Sequence, residues 1–131
     1  MHPTHRLESD VYDGVLILES LRTGTTLDGI PLVVRKLNRI GVTGTSAAQP
    51  PIWTIMEFQV EDEHEQALAE ALRDALDKPG WYADWHTEDE VVVVFPGRIF
   101  RYPRGDQAAR AEAQAHGRTL AIPEPQLDWT D

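Results

Sequence analysis

The chain has 131 residues, of which 41% are hydrophobic and 26% charged, with no cysteine and a formal net charge of −10. One ordinary domain of that length buries about two-thirds of its unfolded surface without cross-links. The lack of cysteine excludes disulfides, thiolate metal sites and a cysteine nucleophile, and no apolar run approaches the ~20 residues needed to cross a bilayer.

Residues 1–10, MHPTHRLESD, are polar, lack the apolar core of a secretory signal, and are expected to be a flexible end. The cytoplasm is therefore the expected location. The apolar run Val15 to Leu18 within VYDGVLILESLR predicts a first strand, followed by a turn-rich connection between Gly24 and Gly29. Residues 30–42 fit two periods. Ile30, Leu37 and Gly41 suit a helix, whereas Leu32, Val34 and Lys36 with the β-branched content suit a strand. Pro31 and the missing N-cap favour the strand. GTSAAQPP, residues 44–51, is a loop by composition.

In WTIMEFQV, Trp53, Ile55, Glu57 and Gln59 alternate with Thr54, Met56, Phe58 and Val60, as in a central strand apolar on both sides. A helix over 62–77 follows. Asp62 and Glu65 have the spacing of a capping box, and Leu68, Ala71, Leu72, Ala75 and Leu76 form an apolar stripe. WYADW and VVVVF (Val91 to Phe95) read as strands joined through Thr87 to Glu90, and Pro96-Gly97 turns the chain into RIFRY. There Arg98, Phe100 and Tyr102 share one face, with Ile99 and Arg101 on the other. Asp106 is placed to cap a last helix over 106–117, stopped by Gly117. Residues 119–131, held extended by two prolines, predict a C-terminal strap pinned by Leu127 and Trp129. These elements predict a single α+β domain over 1–131. Its core is a mostly antiparallel sheet of five or six strands with two helices packed on one face, ferredoxin-like in part.

The charge is local. Residues 57–90 carry twelve acids against two bases, which gives −10, while 1–56 and 91–131 each hold five of either sign. Such a field repels phosphate backbones and lipid headgroups and attracts basic surfaces. Direct nucleic-acid or membrane binding is not expected.

Candidate chemistry is sparse. His2, His5, His64, His86 and His116 show no i, i+4 ligand spacing and no HExxH string, so no metal site is predicted. GVTGTS lacks the lysine of a phosphate loop, and no serine stands in a nucleophile elbow. No catalytic residue and no cofactor are implied. Glu57 stands out as a carboxylate within an apolar strand, and His86 as an imidazole at a strand end beside Trp85. The aromatic set from Trp53 to Trp129 serves either as core or as the lining of a groove for a flat or peptide ligand.

The strings GWYADWHTEDEVVVVFPGRIFRYPRGD and IPEPQLDW resemble a family of short uncharacterised bacterial proteins over residues 12–130. That resemblance implies an α+β fold and transfers no activity or site residue. The leading functional expectation is thus a non-enzymatic interaction or regulatory module. It would meet a partner's basic surface through Glu63, Glu70, Asp74, Asp77, Glu88 and Asp89. The alternative is a small-molecule-binding protein or minor enzyme whose pocket uses Trp53, Glu57, Trp85, His86 and Tyr102. A homodimer closing an exposed sheet edge or aromatic face is a third reading.

Overall fold

Six strands build one open, wholly antiparallel sheet in a computed structural model that describes residues 11–130. They are β1 (Val11–Ile17), β2 (Val33–Gly41), β3 (Ile52–Glu61), β4 (Ala83–His86), β5 (Glu90–Phe95) and β6 (Arg98–Pro103), in the spatial order β2-β3-β1-β4-β5-β6. Helix α1 (Asp62–Ala75) follows β3 and helix α2 (Gln107–Thr119) follows β6. The α+β class and the antiparallel sheet are those read from the sequence, and within residues 30–42 the segment Val33–Gly41 is a strand. The N-terminal segment 1–10 and Asp131 lie outside the described residues. Among the described residues no helix is long and apolar enough to cross a membrane.

Strands β3 and β4 flank β1, and both run antiparallel to it. The β3–α1–β4 unit is therefore a split β-α-β with β1 inserted, which is as far as the ferredoxin-like likeness extends. The helices do not share a face. On β5, Val92 and Val94 pack with Trp85, Phe58, Leu68 and Leu72 beneath α1. Val91, Val93 and Phe95 point the other way, toward Ala113 of α2, Ile122, Leu127 and Trp129. A strand apolar on both sides requires a cover on each. The run VVVVF thus needs α1 on one face, and α2 with the C-terminal strap on the other.

Two local readings are corrected. The N-cap of α1 is Glu61, which makes no side-chain cap bond, and the spacing 65–68–69–72–75 turns Glu65 inward with the apolar stripe. A capping box from Asp62 to Glu65 is thus replaced by a buried carboxylate (Glu65 is 3% exposed). Gly117 does not stop α2, which runs on to Thr119. A Cβ there would lie 2.7 Å from Leu127 Cδ2, so this glycine lets the strap lie against the helix. Asp106 does cap α2, accepting a hydrogen bond from the Ala109 amide at 3.0 Å. A similar close approach occurs at Gly14 in β1, where Phe58 and Trp85 meet edge to face from the two neighbouring strands. A Cβ on Gly14 would fall 2.5 Å from Phe58 Cζ.

Candidate binding cleft

Beneath α1 the polar chemistry is structural. The Glu65 carboxylate accepts from Trp85 Nε1 at 2.8 Å and from both terminal nitrogens of Arg101 at 2.8 and 2.9 Å. Arg101 also donates to Glu90 at 3.1 Å, and Glu90 accepts from the Tyr12 hydroxyl at 2.5 Å. Burial and the bond to Glu90 push the Tyr12 hydroxyl well above its ordinary pKa. This chain ties α1 to β4, β6, β5 and β1, and it leaves no Glu65 oxygen without a donor.

The opposite face is only half covered. Where α2 ends, the strap crosses the sheet and leaves a cleft of about 380 Å³. Its floor is Val15 and Ile17 of β1 with Asp84 of β4; its walls include Trp53, Trp81, Tyr82 and the strap residues Gln126, Asp128 and Trp129. Register dictates the floor: Val15 pairs with Glu57 on one side and with Asp84 on the other, so all three side chains point to this face.

The walls are held from behind. Trp53 and Trp81 rings meet at 5.4 Å, and Trp53 Nε1 donates to the Pro50 carbonyl at 2.9 Å. The Tyr82 ring lies edge-on to Trp129 at 5.2 Å, and its hydroxyl donates to the Gln126 carbonyl. Gln49, buried in the 42–51 loop, donates to the Gly80 carbonyl at 2.7 Å and exchanges amide bonds with Gln126 at 2.9 and 3.0 Å. Gly80 takes a positive φ of 97°, which brings its backbone against that amide. Loop, β4 lead-in and strap are thereby clamped together.

Asp84 is the unusual group. Burial, and then the nearby Asp128 carboxylate, push its pKa from 3.8 up to about 7, with Arg110 pulling the other way. Burial also raises the Tyr82 hydroxyl, with Asp84 and Asp128 adding to it. Arg110 sits behind the wall: it donates to the Trp129 carbonyl at 2.9 Å, with its guanidinium 5.2 Å from the Trp129 ring centre. Among the described residues, both charged side chains lining the cleft are acidic.

The site residues expected from sequence are dispersed by the pleat. Trp53 lines the cleft. Trp85 lies on the opposite face, fully buried against Glu65. Tyr102 is interior to the second core and accepts from Trp129 Nε1 at 2.7 Å. Glu57 shares the cleft's face but is exposed beside Lys36, at 4.0 Å. His86 lies one row beyond Asp84, opposite Asp13, with its Nδ1 buried and unpaired; burial and then Arg104 lower its pKa. The acidic set is exposed throughout: Glu63, Glu70 and Asp74 on α1, Asp77 just past its C-terminal end, Glu88 and Asp89 at the β4–β5 turn. Glu61, Glu63 and His64 bring one ligand atom each within 4.8 Å at the start of α1, all near solvent. Sequence reasoning missed Asp84, Asp128, Trp81 and Gln49 as site residues. The alternation of WYADWH did carry a signal, since it puts Asp84 two residues from His86 on the same side.

No family model, curated protein or solved structure matches this chain. The cleft's own chemistry therefore has to carry the functional reading.

Proposed function

We propose that the protein is a small-molecule-binding domain whose ligand sits in the cleft between Trp53, Trp81, Asp84 and Trp129. The observation that carries this reading is a concave, aromatic-walled space of about 380 Å³ with a partly buried carboxyl at its floor. That is the size and lining of a ligand site: apolar walls with a few convergent polar groups. The lining offers hydrogen-bonding and proton-exchanging groups, Asp84 among them. Among the described residues that line the cleft no nucleophile–base pair comes together, and binding is the reading these groups support. The test is a fragment screen followed by NMR of the indole N–H groups. Hits should perturb Trp53, Trp81 and Trp129 and spare Trp85, on the far face. Hits that cluster elsewhere, or none at all, refute it.

A second reading concerns the acidic face of α1. Glu63, Glu70, Asp74 and Asp77 point to solvent, and their partners are near neighbours in sequence: His64, Gln66, Arg73 and the Lys78 amide. Such a face fits a protein partner with a basic surface, and its signature is affinity that falls steeply with salt. Pairing of two copies along β2, the sheet edge that exposes Val33, Val34 and Leu37, is a separate proposal. Light scattering of the wild type and Leu37→Glu decides it.

A further inference from the structure

The geometry points to an organic cation as the ligand of this cleft: an alkyl- or arylammonium, or a guanidinium, held with its charge between Asp84 and Asp128 and its body against Trp53, Trp81 and Trp129. This inference rests on the binding reading above and specifies it.

Charge comes first. Among the described residues two carboxylates line the cleft and no basic side chain does; Arg110, which pulls the Asp84 pKa down from behind the wall, also donates to the Trp129 carbonyl and lies over its ring. An anionic ligand would meet two like charges in a site of reduced dielectric. A neutral aromatic ligand would cover Asp84 further and leave its ionised form, present above about pH 7, with only Arg110 as an opposing charge, which is costly. A cation answers both. The rings favour the same ligand, because their faces carry negative potential and attract ammonium and guanidinium groups, tryptophan most strongly.

A bare metal ion fits less well. Hard divalent cations take six or more oxygen ligands, and among the described residues the polar side chains of the lining are two carboxylates, Tyr82, Gln126 and Thr130, set among indole and aliphatic walls. A volume of about 380 Å³ is also far larger than an ion requires.

Burial and Asp128 keep the floor carboxyl largely protonated at pH 6 and largely ionised at pH 8, since they push the Asp84 pKa up to about 7. A cation that binds the ionised form then displaces that proton. The groups facing Asp84 are Asp128 from the strap, Arg110 from α2 and Tyr82 from its own segment. Glu57, Asp13 and His86 lie along the same sheet face. If only ionised Asp84 binds, affinity rises about tenfold from pH 6 to pH 8 and levels off above.

The test uses the full chain and four probes of similar shape: benzylammonium, phenyltrimethylammonium, benzyl alcohol and benzoate. Calorimetry gives affinity, and the indole N–H resonances locate the site, with Trp85 as the internal control. Both cations are expected to bind at least tenfold more tightly than benzyl alcohol. Asp84→Asn, which keeps the side chain's shape, is expected to lower cation affinity at least tenfold and to remove its pH dependence. Asp128→Asn is expected to weaken binding less, because Asp128 is exposed at the rim. Benzyl alcohol or benzoate binding in the cleft as tightly as benzylammonium overturns the cation inference and leaves the binding reading standing. Undiminished cation affinity in a folded Asp84→Asn variant overturns it as well. If no probe shifts Trp53, Trp81 or Trp129, the cation inference is overturned; if a wider fragment screen also leaves those indoles untouched, the binding reading goes with it.

Discussion

Replacing Asp84 with asparagine should stabilise the protein, and by an amount that depends on pH. The Asp84 carboxyl has a folded pKa of about 7 against 3.8 when unfolded, because burial and Asp128 disfavour its charge. Between those values the unfolded chain releases the proton while the folded chain retains it. Folding stability contributed by this group is thus full below pH 3.8, declines as pH rises, and is lost above about 7. A gap of roughly three pK units at 1.36 kcal/mol each sets a ceiling on the order of 4 kcal/mol. The cleft is open to water on one side, which screens the charge, so the expected difference is about 2–4 kcal/mol. Urea unfolding of wild type and Asp84→Asn at intervals from pH 4 to pH 8 measures it. The curves should coincide near pH 4, and the variant should gain the full margin by pH 8. Titrating groups that do not interact with Asp84, such as the pair between Arg118 of α2 and Glu124 of the strap, are common to both proteins and cancel in the difference. A difference that stays flat across this range, within about 0.5 kcal/mol, would show that Asp84 is fully hydrated and the floor of the cleft is not a low-dielectric site.

Other perturbations test the frame that holds the cleft. Glu65→Ala leaves the Trp85 indole N–H and a partly buried Arg101 without their shared acceptor. It should cost about 3 kcal/mol by chemical denaturation, with Arg101→Met largely non-additive to it in a double-mutant cycle. Gly14→Ala forces a Cβ into the contact between Phe58 and Trp85; a loss of about 2–3 kcal/mol in thermal melts is expected, partly restored by Phe58→Leu. Gln49→Ala removes the amide that joins Gly80, the 42–51 loop and Gln126. It should cost about 1–3 kcal/mol and raise the rate of proteolytic nicking in that loop, while the exchange protection of β5 amides is unchanged.

How far the sequence discloses this architecture differs by element for physical reasons. Alternation in β3 and RIFRY places Phe58, Tyr102 and Arg101 on their observed faces, because a pleat assigns sides with a period of two and nothing else is needed. The four-valine run of β5 is silent on this point. An element apolar on both sides announces burial but not which helix covers which side, so the placement of α1 and α2 was beyond periodicity. Glu65 shows a different limit. Its spacing to the helix start suits a capping box, yet its spacing to Leu68, Ala69 and Leu72 puts it on the buried stripe. The bidentate bond to Arg101 decides between them, and that partner lies 36 residues away.

The cleft shows the same limit more sharply, and it explains why its most distinctive residue was not singled out. Asp84 reads as one more acid in a strongly acidic segment, because its surroundings come from elsewhere in the chain. Trp53 arrives from β3, and Asp128 and Trp129 from a strap that reaches the sheet only because Gly117 lets Leu127 close against α2. A carboxyl's pKa is a property of what encloses it, so no local window can disclose it. The strap therefore has two consequences at once. It buries Leu127 and Trp129 to complete the second core, and it brings a second carboxylate to within electrostatic reach of the first. Removing it should uncouple them: a chain ending after Pro125, if it stays folded on α1 and the sheet, should return the Asp84 carboxyl toward its ordinary range in a carboxyl-carbon NMR titration. A carboxyl that still titrates near 7 in that shortened chain would place the cause in the sheet face itself and not in the strap.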